Sequence, residues 1–254
     1  MKPKTPISCK AFTLLELLIV VAILAIIGGS IIVAYKGTGD AAEENLVEQR
    51  LAGMRQALLK FRQDMGYFPG EGPLGDTATV EPVVGQVTDY DNMSNVEKSL
   101  WRNHELNHWM LYSRPNDTTI ANKWVYDSDA KRGWNGPYLN GKSGLLLDNA
   151  GTLASAFVGG GEADALLSVD DAFGRSNGSD DSSPLYWRVI NNPDVTQNAR
   201  FGRPIALIEE VIAGSPDVRV YILVSFGKNG KFEFQGLETN NGDDVILEVA
   251  RVAE

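Results

Sequence analysis

The sequence predicts an α+β chain in which a long N-terminal α-helix packs on a small antiparallel β-sheet. Three observations predict it. Leu17 to Tyr35 is a run of 19 residues without a charge. Val47, Leu51, Met54, Leu58, Phe61 and Met65 then recur at alternating spacings of four and three, the period of one helix face. The last third of the chain carries short apolar runs separated by Gly, Asn and Asp, the pattern of strands and turns.

The uncharged run comes first. At about 1.5 Å per residue it extends roughly 28 Å, close to the hydrocarbon core of a bilayer. Lys2, Lys4 and Lys10 precede it, which places the N-terminus on the cytoplasmic side and everything after Tyr35 outside. A secretory signal peptide has an apolar region of about 7–15 residues followed by a small-residue cleavage site. Here the run is longer, no Ala-x-Ala follows it, and the small residue, Ala11, stands in front. One acid, Glu16, sits at the edge of the run. A carboxylate beside lipid tails is costly unless paired, so Glu16 is a candidate functional residue.

After Tyr35 the polar stretch Lys36-Gly37-Thr38-Gly39-Asp40 reads as a break. Asp40 as N-cap, with Glu43 three residues on, opens the amphipathic helix. Gly66 ends it and Tyr67-Phe68-Pro69-Gly70 turns the chain. Residues 70–93, rich in Pro, Gly, Thr and Asp, read as a surface excursion. A second helix is predicted from Ser94 to Tyr112, with Val96, Leu100, Asn107 and Leu111 on one side and Trp101, Trp109 and Met110 elsewhere. It contains His104-Glu105-Leu106-Asn107-His108, and these are the only two histidines. On a helix, residues at i and i+4 share a face, so both imidazoles are candidate zinc ligands with Glu105 as general base. No later His supplies a third ligand; Asp117 and Asp127 are the nearest candidates, and the next Glu is Glu162.

Arg132-Gly133-Trp134-Asn135-Gly136-Pro137-Tyr138-Leu139 is a compact turn with two aromatic anchors, Trp134 and Tyr138, expected to pack against the stem helix. Small residues from Asn140 to Ala165 suggest an insertion. Strands are predicted at Tyr186 to Ile190, Arg219 to Val224 and Val245 to Val249, with Ala206 to Ala213 a strand or a short helix.

The N-terminal arrangement resembles that of type IV pilins and type II secretion pseudopilins: a basic leader ending in a small residue, then Phe-Thr-Leu-Leu-Glu and the apolar run. The resemblance implies cleavage between Ala11 and Phe12 by a prepilin peptidase, N-methylation of Phe12, and Glu16 as the family's acid. In a helical filament Glu16 would meet the α-amino group of Phe12 on a neighbouring subunit. Ala11 stands where the family usually has Gly, and the family's Pro near the end of the run is missing. The chain then divides into a leader 1–11, a transmembrane and polymerisation helix 12–35, an amphipathic stem 36–69, and a globular α+β head 70–254. Gly66-Tyr67-Phe68-Pro69 is similar to the Gly-x-Tyr-Pro that closes the pseudopilin stem. Trp134-Asn135-Gly136-Pro137-Tyr138-Leu139 resembles a segment of the major pseudopilin. Asp170 to Val189 resembles an interrupted version of another.

Ser225-Phe226-Gly227-Lys228-Asn229-Gly230, with Asp243-Asp244 further on, resembles the loop that binds calcium in pseudopilins. Carried over, Ser225, Asn229, Asp243 and Asp244 are the ligand positions, with Glu238 an addition. Ca²⁺ takes about six to eight oxygens, which loop carbonyls and paired acids supply. Asn229 replaces an Asp of the family, and the residues alone also fit a plain Asn-Gly turn between two strands.

The 254 residues carry a formal charge of −10. Loss of the leader removes three lysines and leaves 20 basic against 33 acidic side chains, a formal −13. That excludes a nucleic-acid partner, which needs a basic stripe. The only cysteine, Cys9, lies in the leader, so the head is held by its core, with a bound metal as reinforcement. The expected function is therefore structural and not enzymatic: a subunit of a type II secretion pseudopilus or a type IV pilus. It would be single-pass in the bacterial inner membrane, its head in the periplasm or outside the cell. Its partners would be copies of itself, other pilin-like subunits and an inner-membrane assembly platform. Two alternatives are a membrane-tethered zinc peptidase built on His104, Glu105 and His108, and a signal-anchored binding module that never polymerises.

Overall fold

Helix α1 spans Leu14–Met65, 52 residues, and it does not stop at the polar stretch predicted to break it. Lys36 to Asp40 are all helical, so Asp40 is not an N-cap. A break would expose about four N–H and four C=O groups. Two glycines inside a helix cost only about 1 kcal/mol each relative to alanine. The computed structural model describes residues 14–75, 79–83, 90, 94–120, 122–139, 147–148, 167–169, 173, 188–189, 204–214, 216–237 and 239–253.

The chain divides into two units, Met1–Glu43 and Glu44–Glu254. In the first, the large apolar side chains described between Leu14 and Ile26 are all exposed. Among the described residues no helix is long and apolar enough to cross a membrane. The span predicted for 12–35 begins outside the described residues and includes side chains, 27–35, that also lie outside them.

The second unit is α+β. A 3₁₀ turn at Gly72–Leu74 follows α1. Then come β1 (Val80–Pro82), α2 (Asn95–Arg102), α3 (Trp109–Tyr112), β2 (Pro115–Asp117), β3 (Leu147–Asp148), β4 (Arg188–Val189), β5 (Ile205–Ile212), β6 (Val218–Ser225) and β7 (Val245–Ala253). The short strands pair β1 with β2 and β3 with β4, both antiparallel. The main sheet has the order β5-β6-β7. Its β5–β6 hairpin pairs Ile205 with Ser225 through Ile212 with Val218. Ala206 to Ile212 is thus strand, and β7 meets β6 antiparallel with an irregularity between Tyr221 and Ile222.

One core joins the stem stripe to this sheet. Val47, Leu51, Met54, Leu58, Phe61 and Met65 are buried together with Val220, Ile222, Val224 and Val249. Arg55 Nε donates to the Val249 carbonyl at 3.3 Å, which ties the helix to the edge strand β7. Phe68, just past the helix end, lies against Tyr221 with ring centroids 4.2 Å apart. The excursion at 70–93 is not wholly surface, because Leu74 and Val80 are in the core. Each large aliphatic side chain buried this way contributes about 1.5–3 kcal/mol.

The predicted helix Ser94 to Tyr112 is two helices, α2 and the single turn α3, with Asn103 to His108 non-helical between them. The expected faces are redistributed: Val96 is exposed, whereas Trp101, Leu106, Trp109, Met110 and Leu111 are all buried. Side chains here compete with the helix for backbone groups. Asn107 Nδ2 donates to the Trp101 carbonyl at 2.6 Å and Asn107 Oδ1 accepts the Leu167 N–H at 3.1 Å. His104 Nδ1 accepts the Leu106 N–H at 3.1 Å.

Of the two aromatic anchors, Tyr138 packs on the stem as expected, whereas Trp134 meets Tyr138 and the α3 backbone. Tyr138 meets Phe61 edge-on at 5.4 Å between centroids, and its hydroxyl donates to Asp64 Oδ2 at 3.1 Å. Trp134 stands edge-on to Tyr138 and its Nε1–H donates to the Met110 carbonyl at 2.9 Å. Of the strand predicted at Tyr186 to Ile190, Arg188 and Val189 are strand, and the rest lies outside the described residues. Most of the insertion predicted at 140–165 lies outside them too.

Candidate functional site

The loop from Phe226 to Asp244 leaves β6 and returns as β7, adjacent central and edge strands, so its two ends are held side by side at the Ser225–Val245 pair. Inside it, carboxylate oxygens of Glu233, Asp243 and Asp244 lie within 4.8 Å of one another. Among the described residues no other such cluster of three ligating side chains occurs. Asn229 knits them: its backbone N–H donates to Asp243 Oδ2 at 2.9 Å, and its Nδ2 donates to Glu233 Oε2 at 2.9 Å. The Glu233 N–H donates to Asp244 Oδ2 at 2.9 Å.

Two glycines make this approach sterically feasible. Gly227 and Gly242 have φ of 60° and 64°, the left-handed region that favours glycine. A Cβ on Gly227 would collide with the Asp243 carbonyl, and one on Gly242 with the Glu233 carboxylate.

The electrostatics follow from the crowding. Burial pushes the Asp244 carboxyl up to about 7, and the neighbouring charges of Glu233 and Asp243 push the same way. Asp244 Oδ1 is buried with no hydrogen-bond partner. In its ionised form this oxygen only accepts, and without a donor it fits a hard cation, whose preferred ligands are carboxylates and carbonyls.

The positions carried over from the sequence are thus distributed. Asp243 and Asp244 converge. Asn229 touches both Glu233 and Asp243, but its Oδ1 is occupied by the Lys231 N–H at 2.6 Å. Ser225 is fully buried at the end of β6 and is not one of the converging groups. Glu238 lies outside the described residues. Glu233, which sequence reasoning misses, completes the cluster. Its signal was weak: a lone acid between Phe232 and Phe234.

The His-Glu-x-x-His segment does not form the predicted metal site. Its residues are non-helical, so the i, i+4 face on which both imidazoles would meet a zinc is not formed. Both rings are instead built into the core. His108 is 3% exposed and its Nε2 lies 2.7 Å from the Ile205 carbonyl. Desolvation pushes it down to about 4, opposed by that hydrogen bond. His104 is buried with its Nδ1 on the Leu106 N–H. The candidate third ligands are committed elsewhere: Asp117 holds Thr119, Ile120 and Lys123, and Asp127 caps Asp129 and Ala130. Both carboxyls are held below the usual range, Asp117 by Lys123 first and Asp127 by the Ala130 N–H first.

At the other end of the chain, Ala11 and Phe12 lie outside the described residues, and Glu16 lies in the first turns of α1 with its side chain outside them. A family model, the prokaryotic N-terminal methylation motif, matches residues 7–32. That motif is the signature of the type IV pilins and pseudopilins, membrane-anchored subunits processed by a prepilin peptidase. No curated protein and no solved structure matches the chain.

Proposed function

We propose that the chain is a structural subunit of a type II secretion pseudopilus, with a pilin-like fold assembled through its N-terminal helix. The observation that carries this is the methylation motif over residues 7–32, placed where α1 exposes its apolar side chains from Leu14 to Ile26. Prepilin peptidase cuts between Ala11 and Phe12, and the new N-terminus of Phe12 is methylated. In the membrane the stem is covered by lipid. In the filament it is covered by other stems, and Glu16 sets the register by pairing with the Phe12 amine of a neighbouring subunit. Head-to-tail contacts that do not close give an open filament. Pseudopilin-like segments at Trp134, Phe173 and Ser225 favour the secretion machine over a surface pilus.

Calcium belongs to the same proposal. Glu233, Asp243 and Asp244 would hold it, joined by loop carbonyls. The ion would neutralise three acids and pin the β6–β7 loop against the sheet, taking the part a disulfide plays in other small external domains.

The mass of the mature N-terminus tests the reading in a host with a prepilin peptidase. Loss of the first eleven residues with one added methyl group on Phe12 is expected. An intact leader on membrane-inserted protein would overturn it and favour the anchored binding module. Glu16→Ala then separates processing from assembly: it should be cut normally and enter filaments poorly. Filaments as rich in Glu16→Ala as in the parent chain would refute the register role.

A further inference from the structure

The head covers one face of α1 and leaves the opposite one bare. Asn45, Gln49, Ala52, Gln56, Leu59 and Gln63 recur at alternating spacings of four and three, and all six are exposed. They form a second line along the helix, on the side turned away from the buried stripe of Val47, Leu51, Met54, Leu58 and Phe61. The seven charged residues from Glu43 to Arg62 all fall off this line. Amides sit in water without cost, so the line by itself does not decide whether a partner covers it.

Gly53 decides it. It lies beside the line, exposed and deep inside the helix, where glycine is the least favourable residue after proline. Its backbone is helical, so no left-handed turn requires it. A Cβ added to Gly53 would meet no atom within 4 Å among the described residues, so packing inside the head does not require it either. What a glycine supplies on an exposed helix face is a place where a second backbone comes close.

The same helix names the partner. α1 is unbroken from Leu14 to Met65, and the large apolar side chains described between Leu14 and Ile26 are all exposed. A copy whose stem lies beside that start is already carried along the helix towards Gly53. The line is also compatible with itself. It sets no like charges opposite one another, its amides both donate and accept, and Leu59, 39% exposed, adds an apolar contact.

We propose that the line from Asn45 to Gln63 is a second contact between stems, with the helix of another copy of this chain passing closest at Gly53. The inference rests on the filament reading and extends the contact from the apolar start of α1 into the part that carries the head. Its polar character keeps the contact weak alone. It forms once the apolar starts hold the stems side by side at high effective concentration.

The test uses the full chain in a host that builds the filaments. Gly53→Ala should raise the melting temperature of the full chain in detergent by roughly 2–4 °C, and Gly53→Leu should melt at or above the parent. Both should be cut at the leader as the parent is. Gly53→Leu should still enter filaments about tenfold less than the parent, with Gly53→Ala between the two. A benzophenone attached through Gln56→Cys should cross-link to α1 peptides of another copy in filaments mixed from isotope-labelled and unlabelled chains. Adducts confined to lipid or to head peptides would overturn the choice of partner. A lower melting temperature for both Gly53 variants would assign the glycine to the subunit's own folding and overturn the proposal. A parent chain left uncut, or one that forms no filaments, would sink the filament reading and this contact with it. If parent filaments form and Gly53→Leu enters them equally well, the filament reading stands and the second contact is wrong.

Discussion

Glu233→Gln should make the metal-free protein more stable and the calcium-loaded protein less stable than the parent. The three carboxylates lie within 4.8 Å of one another. Two unit charges at that distance repel by about 1 kcal/mol in water and about 3 kcal/mol at an effective dielectric of about 20. Asp243 is exposed, while Glu233 and Asp244 are half-buried, so the lower figure is the better guide. Gln removes two of the three repulsive pairs. It keeps a side-chain oxygen for the Asn229 Nδ2–H donor. The net gain without metal is about 1–2 kcal/mol, or roughly 2–8 °C in melting temperature for a domain of this size. With calcium at about 100 times its dissociation constant the parent gains about 2.7 kcal/mol, a gain the variant loses in large part.

The assay is a melting curve with calcium and with chelator, near pH 8 so that Asp244, pushed up to about 7, is ionised in the metal-free state. The order of the two melting temperatures should invert on adding calcium. The same order under both conditions would refute the reasoning: if the parent leads throughout, Glu233 is a structural acceptor, and if the variant leads throughout, the loop holds no calcium.

Two further predictions concern the head. His108 is held down to about 4 from an ordinary 6.5, so between those values the unfolded chain binds a proton that the folded chain excludes. Stability should be complete above the upper value and fall as pH falls towards the lower one, by at most about 3 kcal/mol. His108→Gln retains a donor for the Ile205 carbonyl and should flatten that slope in melting curves across the window; an unchanged slope would assign it to other groups. Tyr138→Phe removes a hydroxyl that accepts the Asn135 N–H at 2.9 Å and donates to Asp64 at 3.1 Å. It should lower the urea midpoint by an amount equal to about 1–2 kcal/mol while keeping the ring on Phe61; Tyr138→Ala should cost more than that, but less than the about 3–5 kcal/mol of a fully buried ring, because Tyr138 is half-buried.

The stem stripe is legible in the sequence because it repeats. Six apolar residues at helical spacing leave one geometry that buries them together, and all six are buried. Strands β6 and β7 are legible as short apolar runs bounded by turn residues, with boundaries shifted by a residue or more, whereas β5 reads equally as a short helix until it pairs with β6. The break between α2 and α3 is not legible. It rests on Asn107 reaching Trp101 and Leu167, and a partner sixty residues away leaves no mark on local periodicity. The acidic cluster is half legible. Asp243 and Asp244 announce themselves as a pair in a glycine-bearing loop, whereas Glu233 joins them only because the chain folds back over ten residues.

The histidine motif shows why residue type and spacing are insufficient for a metal site. A zinc pair at i and i+4 needs a helix to bring the rings together. Here the same residues are the ones that end the helix, because imidazole and amide side chains offer the backbone other partners. Burial then commits them: a ring with Nε2 on a carbonyl, its protonation held down to about 4, serves the core. In the acidic loop the opposite holds. Its carboxylates are crowded, one oxygen has no donor, and the loop glycines exclude any side chain that would spread them apart. Crowded acids raise the free energy of the folded head unless something positive meets them, which a core histidine does not require. The acidic loop holds one such unmet polar group, Asp244 Oδ1, and the described start of α1 holds exposed apolar side chains. On the proposed reading a cation would meet the first, and lipid or other stems would cover the second.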